Sequence, residues 1–180
     1  MCKFVLFDIK DESLLRYIPK VEACYKRYCK YLHDDFSDFK DNVTSYISNA
    51  PYFWLIFNSD NEFMGFVFLD NFVGNDSYNY SAELTTCFEP AAWGVFTRYS
   101  AKIFLKKAFD ELGLYKIKGL VFPQNYRISM LLKSSGFEYE TTLKNETVRN
   151  NKLQNIDVYS IYRTYYYKDE VKNEQNFRKK

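Results

Sequence analysis

Residues 82–163 read in order as strand, tight loop, helix, strand, helix and two strands, and no other feature constrains the fold as much. Ser81 to Phe88 is a dense strand, followed by the loop Glu89-Pro90-Ala91-Ala92-Trp93-Gly94-Val95-Phe96-Thr97. The longest helical period runs over 96–112, with Ala101, Phe104, Leu105, Ala108, Phe109 and Leu112 on one stripe and Gly113 as the stop. A strand over 116–122, a helix over 126–135 closed by Gly136, and strands over 137–148 and 156–165 complete the set. The last two strands pair across the turn Arg149-Asn150-Asn151-Lys152.

The N-terminal part is less marked. Residues 3–9 alternate as a first strand. A helical stripe of Val21, Cys24, Tyr28 and Leu32 follows over 13–32, interrupted at Pro19 into a short and a longer helix. Residues 36–48 predict an amphipathic helix with Phe39, Val43, Tyr46 and Ile47 inward. The strands Tyr52-Phe53-Trp54-Leu55-Ile56-Phe57 and Phe63-Met64-Gly65-Phe66-Val67-Phe68-Leu69 form a hairpin across Asn58-Ser59-Asp60-Asn61-Glu62. Residues 70–79, rich in Asn, Asp, Gly and Ser, are expected to be a loop, and the charged stretch 168–180 a loose tail beyond one domain over 1–167.

Charge excludes several functions. Lys and Arg total 25 against 23 Asp and Glu, a net charge of +2 in 180 residues, without the basic excess that nucleic acid or an anionic membrane surface requires. The 17 Tyr and 17 Phe therefore read as core and rim rather than a base-stacking face. Cys2, Cys24, Cys29 and Cys87 are scattered, and Cys24 and Cys29 would lie about 140° apart on a helix, so no metal site is expected. The first residues lack the apolar length of a leader and nothing later approaches a membrane span, so the expected setting is cytoplasmic.

The loop carries Trp93-Gly94 before a helix, and the turn Phe122-Pro123-Gln124-Asn125 opens a second helix that ends at Gly136-Phe137. In these motifs and their order the chain resembles the GNAT superfamily of N-acetyltransferases, nearest to its ribosomal-protein and spermidine branch. The resemblance implies an α/β (α+β) fold with a mixed, mostly antiparallel sheet of about seven strands flanked by helices. It also implies acetyl transfer from acetyl-CoA to a primary amine, on a protein N-terminus or a small polyamine-like acceptor; a homodimer is compatible with it.

By that resemblance Phe88, Trp93, Gly94, Val95, Phe96, Thr97, Asn125 and Ser129 bind the coenzyme. The strand ending Thr86-Cys87-Phe88 splays from the strand 116–122, and an amide near Cys87 or Phe88 polarises the thioester. Glu83 is the candidate base and Ser129 a candidate donor to the departing thiolate, one residue out of the family register. Tyr126 is a spare donor.

Three positions depart from the family pattern. Ala91 stands where a cation or amide is usual, and Phe96 where a small residue lets backbone approach phosphate; Arg98 or Arg127 could restore the charge. A tyrosine common in relatives is Leu132 here. The alternative is accordingly a catalytically inactive GNAT-fold binding or assembly module. Asp34, Asp35, Asp38 and Asp41 form the one local acid cluster that could attract a polyamine.

Overall fold

The computed structural model describes residues 1–28, 52–75, 78–149 and 151–167. The helix expected over 36–48, the acid cluster and the stretch 168–180 lie outside these residues. The described strands are β1 (Lys3–Leu6), β2 (Tyr52–Phe57), β3 (Phe63–Asn75), β4 (Tyr78–Phe88), β5 (Lys116–Val121), β6 (Glu138–Arg149) and β7 (Lys152–Tyr162). They form one seven-stranded sheet in the order β1-β2-β3-β4-β5-β7-β6, antiparallel throughout except for β4 beside β5. The described helices are α1 (Glu12–Leu15), α2 (Ile18–Tyr28), α3 (Val95–Asp110) and α4 (Tyr126–Ser134), with a short 3₁₀ turn at Pro90–Ala92.

Strand periodicity divides the core in two. Trp54, Ile56, Val67, Leu69 and Ala82 face Phe104, Leu105, Ala108 and Phe109 of α3. Their neighbours Phe53, Leu55, Phe57, Phe66 and Phe68 point the other way, against Val21, Cys24 and Tyr25 of α2. β2 is buried along nearly its whole length because both faces are covered, which is why it is almost continuously apolar.

Asp11 caps α1 by accepting from Ser13 N at 2.9 Å. The break between the first two helices falls at Arg16 and Tyr17, ahead of Pro19. The proline occupies the first turn of α2, where its missing N–H leaves no gap in the helix ladder. Residues 70–75, 78 and 79 correct the loop expectation: β3 runs on to Asn75 and pairs with β4 through Val73↔Ser81 and Gly74↔Asn79, while residues 76 and 77 lie outside the described residues. Two register shifts absorb the polar, glycine-bearing residues that suggested a loop, and Phe72 stays packed on Tyr52 at 5.0 Å between rings. Gly136, at φ 92°, closes α4: Gly136 N–H donates to Lys133 O at 3.1 Å and Phe137 N–H to Leu132 O at 3.0 Å.

Candidate active site

β4 and β5 are paired only at Ser81↔Lys116, Ala82↔Ile117 and Glu83↔Lys118. Beyond that point they separate. Which main-chain groups face the opening follows from the register. Tyr115 N–H donates to Tyr80 O and Glu89 N–H to Met64 O, so even-numbered residues of β4 turn their amides toward β5 and odd-numbered ones toward β3. The amides and carbonyls of Thr86 and Phe88 therefore face the gap that β5 has left.

The gap leads into a cavity of ≈660 Å³. Its walls are Thr86, Cys87 and Phe88 of β4, the Trp93-Gly94 turn, the first turn of α3 and one side of α4, with Tyr28 contributed by α2. Gly94, at φ 102°, is the cap residue of α3; a Cβ there would meet nothing within 4 Å, so the turn presents bare backbone to open space. No side chain caps α3, which leaves first-turn amides without a side-chain acceptor. Asn125 caps α4 only loosely, accepting from Ile128 N at 3.5 Å.

The electrostatics of the two helix starts agree. Neither α3 nor α4 has an acidic residue in its first turn, and both begin at the cavity. Arg98 in α3 and Arg127 in α4 line it as well. Two positive dipole ends and two guanidiniums converge on one hollow, an arrangement that favours an anion. The carboxylate nearest in sequence, Glu89, is bound to Arg27 of α2.

Of the expected coenzyme residues, Phe88, Trp93, Gly94, Thr97 and Asn125 line the cavity. Three do not. Val95 is 78% exposed outside it. Phe96 packs against the main core cluster, so its ring does not obstruct the hollow, because the helix places it on the sheet-facing side. Ser129 is buried, and its hydroxyl donates to Asn125 O at 3.3 Å, turned from the cavity by the helical position that put it out of register. Leu132, at the family's tyrosine position, fills space over Gly119.

Glu83 is not at the cavity either. It sits at the last paired position, its oxygens accepting from Lys118 Nζ at 2.8 Å and Asn71 Nδ2 at 2.9 Å. It shares the α2-facing side of β4 with Cys87, about 13 Å along the strand. Cys24 and Cys87 are both buried. Burial first, and then the Glu89 charge, push the Cys24 thiol well above its usual range, which makes it unreactive.

The sequence reading missed Tyr28, Gln124, Met130, Leu131 and Ser134 as wall residues. Arg127, Met130, Leu131 and Ser134 lie at helical spacing, so the stripe was available once one member was placed. Tyr28 carries no local signal, since it reaches the cavity only through tertiary packing of its ring, 6.1 Å from that of Trp93. Among the described residues no group of three His, Cys, Asp or Glu is placed to hold a metal ion, and no helix is long and apolar enough to cross a membrane.

A family model described as acetyltransferase (GNAT) domain matches residues 5–138. No curated protein matches the sequence. Among solved structures, the chain is similar to a spermidine N-acetyltransferase from Vibrio cholerae in complex with CoA and spermine, at 20% identity and a TM-score of 0.70 over 92% of this chain and 97% of that one. Mutant forms of the spermidine/spermine N-acetyltransferase SpeG from the same organism give 19% identity and a TM-score of 0.73 over 94% and 98%. A GNAT-family acetyltransferase from Bacillus anthracis gives 17% and 0.67 over 89% and 94%.

Proposed function

Because this chain belongs to the acetyltransferase (GNAT) family, we propose that its cavity takes acetyl-CoA and that the protein transfers the acetyl group to a primary amine. The observation that carries this reading is the divergence of β4 from β5 after Glu83↔Lys118, which turns the amides of Thr86 and Phe88 toward the hollow that the two helix starts share. When bound, acetyl-CoA supplies the thioester carbon that the amine attacks, with the C–S bond breaking and the thiolate leaving. The protein's part is positional. Thr86 and Phe88 offer main-chain partners to the pantetheine amides and to the thioester oxygen, where negative charge develops. Gly94 and the first amides of α3 receive the diphosphate. Asn125 has a carboxamide free enough to bond the arm.

The acceptor enters from the α2-facing side, where Cys87 and Tyr28 border the cavity. Glu83 serves as base through intervening water, since it faces that side from a distance and must relay the amine's proton. A small-molecule amine is the acceptor class we favour. The support is the name of the similar Vibrio enzymes, which act on spermidine and spermine. Cys2 and Cys24, buried thiols outside any disulfide, support a cytoplasmic setting. The non-catalytic alternative is not favoured: the feature that most suggested it, a phenylalanine in the phosphate turn, packs into the core instead.

The test is acetyl-CoA titration followed by thermal unfolding. A ligand at one hundred times its dissociation constant adds about 2.7 kcal/mol. No shift at millimolar coenzyme would sink the proposal. With binding established, product formation on a panel of polyamines, aryl amines and N-terminal peptides identifies the acceptor. Gly94→Trp is expected to abolish coenzyme binding, because the new side chain would fill the open space above the turn.

A further inference from the structure

We propose that Arg127 supplies, from across the cavity, the positive charge that the loop lacks at Ala91, and that Trp93 holds it in place for the coenzyme diphosphate. The inference rests on the acetyl-CoA reading of the cavity. It is carried by a column of three side chains from three elements. The Arg127 guanidinium carbon lies 4.3 Å from the centroid of the Trp93 ring. The same ring packs against Tyr28 of α2, with centroids 6.1 Å apart and planes tilted by 54°. All three residues line the cavity.

Apart from its contact with the Trp93 ring, Arg127 has no ion-pair partner among the described residues. It stands in the first turn of α4, at the positive end of the dipole, where a cation is unfavourable. Among the described residues no carboxylate pairs with it, and the one ion pair nearby, Arg27 with Glu89, leaves no acid to spare in the loop. What holds it is the indole face. A guanidinium held over a ring face still has N–H donors to offer two oxygens of one phosphate. Trp93 is the residue before Gly94, whose backbone opens onto the space where a diphosphate would sit. The charge is thus delivered next to the turn although the turn's own sequence lacks it. Arg98 also lines the cavity, but among the described residues no ring orients it.

The experiment measures CoA and pantetheine affinity for the full chain by calorimetry; pantetheine lacks the diphosphate. Arg127→Gln is expected to lower CoA affinity roughly 10–100-fold, the range for a charge-assisted bond, and to leave pantetheine affinity unchanged. It should also reduce the dependence of CoA binding on salt. Trp93→Leu is expected to lower CoA affinity about 3–10-fold with pantetheine unaffected, and Trp93→Phe to restore most of it, since a ring of any kind can hold the cation. Ala91→Arg in the Arg127→Gln background should recover part of the loss. Wild-type affinity for CoA in Arg127→Gln overturns the inference while leaving the acetyl-CoA reading intact. An equal loss of pantetheine overturns it too, by showing that the arginine supports the fold. Failure of the unaltered protein to bind CoA removes both.

Discussion

At the residue scale, two positions separate packing from binding. Gly65 lies opposite Phe88 with φ 146°, and a Cβ there would overlap the Cys87 carbonyl oxygen and come within 2.9 Å of Phe88 Cα. Both neighbours are backbone, which cannot swing aside. Gly65→Ala is therefore expected to cost on the order of 3 kcal/mol in a denaturant titration, and a cost near zero would show that β3 can shift. Phe96 tests the opposite case. Phe96→Ala should lose about 1–3 kcal/mol of stability, as expected for truncating a partly buried ring, with coenzyme affinity unchanged. Tighter binding in that variant would return the ring to the phosphate turn.

At the element scale, the short β4–β5 ladder is the decisive piece. Glu83 pins its open end through Lys118 and Asn71. Glu83→Gln should retain coenzyme binding and lose turnover, and normal turnover would remove Glu83 as the proposed base. On the other side of β5, Lys116 ties β5 to β6 by bonding Glu140 at 2.6 and 2.8 Å, and Ser160 of β7 donates to the same carboxylate at 2.5 Å. The Lys116 ammonium first, and then the Ser160 hydroxyl, hold the Glu140 carboxyl below its ordinary range. A lowered folded value means that this contribution is complete above the unfolded carboxylate pKa, about 4.3, and is lost as pH falls through the folded one. The stability gap between the unaltered protein and Glu140→Gln should thus be widest near neutrality and close in acid. A gap independent of pH would show that the Glu140 charge contributes nothing.

At the scale of the whole molecule, the sheet is two antiparallel halves joined by three register pairs of one parallel ladder. A ligand seated in the divergence touches β4 and the start of α3 from one half and, through α4, a helix that flanks the other. Acetyl-CoA is expected to slow amide exchange at Thr86 and Phe88 and in the first turns of α3 and α4 together. Protection confined to one side would mean that the ligand does not bridge the halves.

Much of this architecture could be read from residue order. The hairpin of β2 and β3, the long amphipathic helix, and the glycine closing α4 are local consequences of side-chain periodicity and of a φ that glycine adopts readily. The pairing of β3 with β4 over residues 70–75 was not legible, because the register shifts there break the hydrophobic alternation. Ser129 and Phe96 show the same limit within helices, where a single position decides which way a side chain faces. The chain alone determined that a turn of bare backbone precedes a helix, and that this turn carries no cation. Only the folded molecule decided that Phe96 turns inward, that Tyr28 arrives from a distant helix, and that Arg127 stacks on Trp93. Each depends on contacts between segments far apart in the chain, and no local pattern encodes the distance between them.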